Sequence, residues 1–505
     1  MPEYALMATP DTASWHSRGG EDMTETGGSW LRRPGDRSPT DDAGAVLRAW
    51  RKRAGQTQGR VATLLGTTQQ HLSQIENGAR PLSLDQRRAV VAELGIPPED
   101  LGLSSGQSRT VVSRDEASPE IAASRLKWRA ERRWLNQHRS DLARLAVDLY
   151  PQPQRIPRSP LIAPAEWLPS APVDLRSLDL QLDESEPATA VDGSEPQSSL
   201  VRPLRVAGAR FDHYTSAIKH LDPPRLFESR PSYRYLGGSP GSGRLDFGLA
   251  SYFDKLDISE AVGHEIAAVC MDDPAALSGP ARRLHGRLPF RELIADPFDP
   301  VRRAVVPAIT TLTIRLRRYP QEPSFLLHWR DPARVATAGG MYDVVPAGEF
   351  QPSSVALWDR RNDFDLWRNI VREYSEELLG TPEHDGTRSR PIDYSDWPLF
   401  QTLSHGLDAG TATAHVLGMG LDALTLAATI LTVVVLDDTV FDEAFSSVVR
   451  HNDEGEIVGV GENVADGVPF TEESVNRMLR SEPLASPGAA CLALAWQHRA
   501  VLLGL

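Results

Sequence analysis

The sequence predicts a multidomain protein with a small all-α domain near its N-terminus, a long connecting helix and a larger α/β body. Three observations carry this expectation. A chain of 505 residues exceeds what one core can fill, so about three domains are expected. Between residues 42 and 103, apolar residues recur at helical spacing and glycines fall where helices would stop. Beyond Arg205, strand-like and helix-like runs alternate. Hydrophobic content of 40% and charged content of 24% describe an ordinary globular chain and exclude a low-complexity one.

The helical domain, residues 42–103, is organised around TQGRVATLLGTTQQHLSQIENGARP, which begins at Thr57. A first helix, about Asp42 to Ala54, supplies Val46, Leu47 and Trp50 to a core, and Gly55 ends it. Val61, Ala62 and Leu65 form one stripe and Leu72 and Ile75 another, so two short helices face each other across a turn at Gly66. Thr67 and Thr68 offer hydroxyls to cap the second of these. A fourth helix opens at Ser83 or Asp85 and uses Val90, Val91 and Leu94. Gln69 and Gln70 stand at the exposed start of the third helix, with Gln74 about one turn further on. That is where a recognition helix presents base-reading side chains. A glutamine amide offers both a donor and an acceptor, which suits the N6/N7 edge of adenine.

This stretch resembles the helix-turn-helix of the lambda-repressor/Cro family, also called XRE-like. The residues that carry the likeness are Thr57-Gln58 at the start of helix two, Val61-Ala62 and then Gly66 at the turn, and LSQIENG at the end of helix three. The resemblance implies double-stranded DNA as the partner, with Gln69, Gln70 and Gln74 facing bases and Gln58, Asn77 and Lys52 near phosphates. It further implies an ion pair of Arg51 with Glu76 beneath the recognition helix, and binding as a homodimer.

Net charge is −14, which on its own argues against nucleic acid. Its distribution points the other way. Residues 44–103 hold 8 basic against 5 acidic side chains, and 104–158 hold 11 against 6, leaving −22 for the rest. A basic head can track phosphates while an acidic body resists nonspecific adsorption. Two cysteines, Cys270 and Cys491, are too few for a disulfide framework or a zinc site and read as buried thiols. No apolar run is long enough for a membrane span, and no signal-like start is present, so a cytoplasmic protein is expected.

The remaining chain reads in order. Residues 1–41 lack an apolar period and are expected to be a disordered tail. Residues 118–150 read as one long amphipathic helix in which Ile121, Trp128, Leu135, Leu142 and Leu149 recur every seven residues. The second coiled-coil row (Ser124, Glu131, His138, Leu145) is largely polar, so both packing within the chain and a dimer seam are open. Arg125, Arg132 and Arg139 run beside it, either solvating the outer face or extending a phosphate footprint. Residues 151–200 are rich in proline and acid and read as a linker, with one short strand at Leu178 to Leu182. Residues 201–505 read as the mixed α/β domain. Its expected elements include a hairpin around GGSPGSG, a helix near Ile258 to Met271, and strands at Thr310–Leu316, Ser324–Trp329 and Ala427–Leu436. A second hairpin is expected around Asn452 to Gly455.

Within this body, Glu373, Glu376 and Glu377 fall at i, i+3 and i+4 of a predicted helix, a spacing that puts three carboxylates on one face. Hard oxygen ligands of this kind suit magnesium. With VPAGEFQPS upstream, REYSEELLG resembles the acidic helix of Nudix hydrolases over about 305–460. The resemblance would imply magnesium, with nucleotide diphosphate hydrolysis as the alternative function. The pattern departs from that family: Phe364 stands where a glutamate is expected and Trp358 where a glycine is, and Gly348 serves only if an insertion intervenes. Asp363 or Asp365 with Glu373 offers a different ladder. The expectation is therefore a non-enzymatic DNA-binding transcriptional regulator, without a resident cofactor, whose body answers to a small-molecule effector or a partner. An adaptor whose helical head contacts protein is a third reading.

Overall fold

The computed structural model describes residues 43–54, 56–64, 69–77, 90, 94, 96, 118–224, 227–317, 322–330, 340–382, 390–446, 455–458 and 467–505. The tail 1–41, Leu65 with the turn at Gly66 to Thr68, the hairpin turn at 452–454, and the fourth helix apart from Val90 and Leu94 lie outside these residues.

The head contains α1 (Ala43–Arg53), α2 (Gln58–Leu64) and α3 (Gln69–Glu76). Leu47, Val61, Ala62, Leu72, Ile75, Val90, Leu94 and Ile96 form its core, flanked by Val46 and Trp50. Gly44 lets α1 approach α3 closely: a Cβ there would lie 2.1 Å from the Ile75 carbonyl oxygen.

The expected long helix is two helices, α4 (Pro119–Gln137) and α5 (Arg139–Val147), which meet at His138. The break has a local cause. Both the His138 amide and its ring Nδ1 lie 3.0 Å from the Trp134 carbonyl oxygen, so a side chain competes for the helical acceptor.

The expected linker is structured over much of its length. It carries β1 (Leu161–Ile162), β2 (Val173–Asp174) and β3 (Asp179–Leu182). Strands this short carry no period of their own, and their identity comes from partners elsewhere. β1 and β2 both pair with a strand some 240 or more residues on, at Leu421 and Asp422 for β1 and at His415 and Val416 for β2.

The body continues with β4 (Leu204–Val206), β5 (Ala209–Arg210), α6 (Tyr214–Leu221), β6 (Pro231–Ser239), β7 (Arg244–Ser251), α7 (Tyr252–Asp272) and α8 (Pro289–Ile294). α7 begins six residues before the expected start because Ser251 and Asp254 form a capping box. Next come β8 (Pro307–Leu316), β9 (Pro323–Phe325), β10 (Leu327–Arg330), β11 (Met341–Val344), β12 (Ala347–Glu349), α9 (Leu366–Glu377) and α10 (Pro398–Ala409). The chain closes with β13 (Ala412–Asp422), β14 (Ala428–Asp437), α11 (Asp438–Ala444), β15 (Gly455–Val458), β16 (Val468–Pro469), α12 (Glu472–Ser481) and α13 (Ser486–Gln497).

The main sheet runs β1-β13-β14-β8-β9-β16, with β12 added on β8 and β2 on β13. β14 and β8 are parallel, aligned from Ala428 with Pro307 to Asp437 with Leu316. β14 is buried along nearly its whole length, which explains its continuous apolar run. Threonines inside the sheet are paired: Thr310 with Thr429 at 2.9 Å, and Thr311 with Thr432 at 2.7 Å. The single strand expected over Ser324–Trp329 is two, because the chain leaves β9 and joins a second sheet, β11-β10-β15. A third sheet orders β3-β7-β6.

The heptad row of α4 and α5 is spent within the chain. Ile121, Trp128, Leu135 and Leu142 are buried, and α4 lies against α7. The polar second row explains the choice: Glu131 reaches His264 Nε2 of α7 at 2.9 Å. That row is therefore unavailable as a dimer seam. Its arginines are occupied differently from either expectation. Arg125 donates to the Leu204 and Arg205 carbonyls, and Arg132 sits 4.9 Å over the Trp128 ring.

Candidate nucleic-acid interface

α2 and α3 are held by one buried carboxylate. Glu76 ends α3 with a fully covered side chain, and the Arg51 guanidinium of α1 grips it twice. Arg51 Nε donates to Oε1 at 2.6 Å and an η nitrogen donates to Oε2 at 2.7 Å. Gln58, the first residue of α2, adds Nε2 to Oε2 at 2.8 Å. One carboxylate thus ties all three helices together. Burial pushes the Glu76 carboxyl upward, but the bonds from Arg51 and Gln58 outweigh it and hold the group below its ordinary value. The hydrogen bond to Glu76 in turn raises Arg51. The pair is therefore charged, bidentate and desolvated on one side.

The expected contact residues are distributed unevenly around this brace. Lys52 on α1, Gln74 on α3 and Asn77 just beyond it are exposed. The Asn77 amide lies 3.5 Å from the Ser73 hydroxyl. Gln58 is half-buried, with one amide hydrogen given to Glu76, which leaves its second hydrogen for another acceptor. Gln69 and Gln70 are the first residues of α3, and their side chains lie outside the described residues. The sequence alone did not reveal Gln58 as a brace, although the motif that contains Gln58, Glu76 and Asn77 held the signal.

The acidic helix of the body sets two of its carboxylates against β12. Glu377 is buried and accepts the Ala347 amide at 2.9 Å, while Glu373 lies over Gly348, where a Cβ would come within 2.0 Å of its carboxyl. Among the described residues no group of three or more His, Cys, Asp or Glu is placed to hold a metal ion. The expected set of Glu373, Glu376 and Glu377 is therefore corrected: α9 does not bring the three together as metal ligands. The neighbouring Arg372 is buried and pairs with Asp363 at 3.0 Å; Asp363 also accepts the Tyr394 hydroxyl and the Ser353 amide. Asp365 serves as the N-cap of α9.

The head sets three short helices around one buried ion pair. A family model described as a helix-turn-helix domain matches residues 42–102. The match ends there and lends nothing to the Nudix-like resemblance further on. No curated protein and no solved structure matches the chain. No helix among the described residues is long and apolar enough to cross a membrane.

Proposed function

We propose that this protein is a sequence-specific DNA-binding transcriptional regulator of the lambda-repressor/Cro (XRE-like) kind, with a body that senses a small-molecule effector or binds a partner. The observation that carries the reading is the Glu76 brace: it fixes α3 against α1 and α2 while Lys52, Gln74 and Asn77 stay in solvent. α3 then enters the major groove by its N-terminal end, and Gln69, Gln70 and Gln74 read base edges. Lys52 and Asn77 meet phosphates, and the amide of Gln58, oriented by Glu76, offers its free hydrogen to a third. Two copies on paired half-sites complete the proposal, with a dimer contact other than the buried row of α4 and α5. Treating the body as a sensor without hydrolase activity is supported by Glu377, whose carboxylate is engaged by the backbone of β12.

The test is selection of bound fragments from genomic DNA. Gln69→Ala and Gln70→Ala are expected each to relax preference at one base pair, costing about 1–3 kcal/mol in discrimination. Unchanged preference in both variants would refute the base-reading roles.

A further inference from the structure

The heptad row of α4 and α5 is closed within the chain, so a contact between two copies needs another surface. The loop from β12 to α9 offers one. Nine large apolar side chains are exposed among the described residues, and three of them fall within four consecutive positions. Val355 is 68% exposed, Leu357 70% and Trp358 50%. Scattered singly, such residues need no account; massed, they mark an interaction surface. Tryptophan is also enriched among the anchors of protein contacts.

The loop holds these side chains out on a fixed frame. The Ser354 hydroxyl donates to the Asp359 carboxylate and accepts the Ala356 amide at 3.0 Å. The Asp359 amide donates to the Ala356 carbonyl at 3.1 Å and opens the short helical turn Asp359–Asn362. Tyr233 pins that turn to the body, its hydroxyl reaching the Arg360 carbonyl at 2.9 Å. A backbone held this way has little freedom left to lose when the patch is covered.

The rim of the patch says what covers it. Trp358 is the N-cap of the turn in helical geometry and Arg361 follows three residues on, so the two side chains are neighbours on one face. Arg361 Nε meets Glu184 at 2.6 Å while its side chain stays 71% exposed. An apolar centre edged by one cation and one anion is complementary to itself. A two-fold axis through it can set Arg361 against the partner's Glu184, and the reverse. A partner of a single charge sign would leave one rim group facing its like. Area then limits the strength: a fully open tryptophan presents at most about 250 Å², and a standard interface takes about 800 Å² from each copy.

We infer that Val355, Leu357 and Trp358 form the centre of a two-fold contact between two copies of this chain, with Arg361 and Glu184 at its rim. The contact is weak in free solution and gains when two heads are held on one DNA, because the second association is then intramolecular. That gain rests on the regulator reading; the contact between bodies does not.

The experiment is sedimentation velocity of the full chain without DNA, from about 1 to 200 µM. The wild type is expected to pass from monomer to dimer with a Kd on the order of 10 µM. Leu357→Ala combined with Trp358→Ala is expected to weaken the dimer about tenfold or more. Arg361→Glu and Glu184→Arg, each alone, set like charges across the axis and are expected to weaken it as well. An equal mixture of these two variants is expected to recover a heterodimer, since every rim group then meets its opposite. Misfolding cannot produce that recovery. The proposal is overturned if the wild type stays monomeric across the range, if the double alanine variant dimerises as tightly as the wild type, or if the mixture does no better than either variant alone. Selection of DNA fragments keeps the two readings apart: a chain that dimerises as expected yet selects no sequence would sink the regulator and leave this contact standing.

Discussion

A buried carboxylate stays charged only when its partners outweigh its desolvation, and Glu76 meets that condition through Arg51 and Gln58. Glu76→Ala leaves the partly buried Arg51 guanidinium without its carboxylate, with only the Gln56 carbonyl to accept from it, and is expected to cost the head about 3 kcal/mol. Amide hydrogen exchange across residues 43–77 reads this directly, and unaltered protection would show the pair to be dispensable. Glu265 shows the opposite balance. Burial pushes its carboxyl up to about 7, against the pull of the Phe290 and Arg291 amides that it accepts. Its folded value thus lies above the roughly 4.3 of an unfolded glutamate. The folded state binds the extra proton between those values, so this group's contribution is full below about pH 4 and fades as pH rises through 7. Glu265→Gln is expected to flatten the stability profile of the body between about pH 5 and 7.5, measured by denaturant unfolding. A profile as steep as the wild type's would assign the slope to other groups.

At the scale of elements, the close crossing of α1 and α3 depends on Gly44. Gly44→Ala places a methyl group 2.1 Å from the Ile75 carbonyl oxygen, a backbone atom that cannot move without α3. The expected loss is about 1–3 kcal/mol, with α3 displaced and DNA affinity reduced. Comparing DNA affinity with the unfolding transition of the head decides this: normal values of both would mean that the crossing adjusts freely. α4 shows how a polar residue on a buried face selects its partner. His264 is kept neutral chiefly by burial, despite Glu131 beside it. Its Nε2 hydrogen then goes to Glu131 and its Nδ1 accepts the Tyr214 hydroxyl at 2.7 Å. Lys127 completes the chain from the solvent side. A glutamate that would disfavour a symmetric coiled coil is thereby matched to one site on α7.

For the whole molecule, the decisive quantity is how charge is divided. The chain carries −14, yet residues 44–158 are net basic. DNA binding is therefore expected to weaken steeply with salt despite the acidic pI of about 5.5. Lys52→Ala is expected to lower the slope of log affinity against log salt by about 0.9 while weakening all sequences alike. An unchanged slope in a mobility or anisotropy titration would remove Lys52 from the phosphate footprint.

The sequence by itself determined the elements whose signal is local. The first three helices of the head were legible because their helical periodicity and the motif that carries the family resemblance lie within some 35 residues. β8, β14 and α9 were legible because long buried runs and strong amphipathic spacing leave little alternative. Tertiary structure alone decided what depends on distant partners. β1 and β2 are two-residue strands defined by β13, the heptad row became an internal seam through His264, and Glu373 and Glu377 of α9 were set against β12. Local pattern fixes the backbone geometry of a segment; which surface buries it is settled only when remote segments compete for the same space.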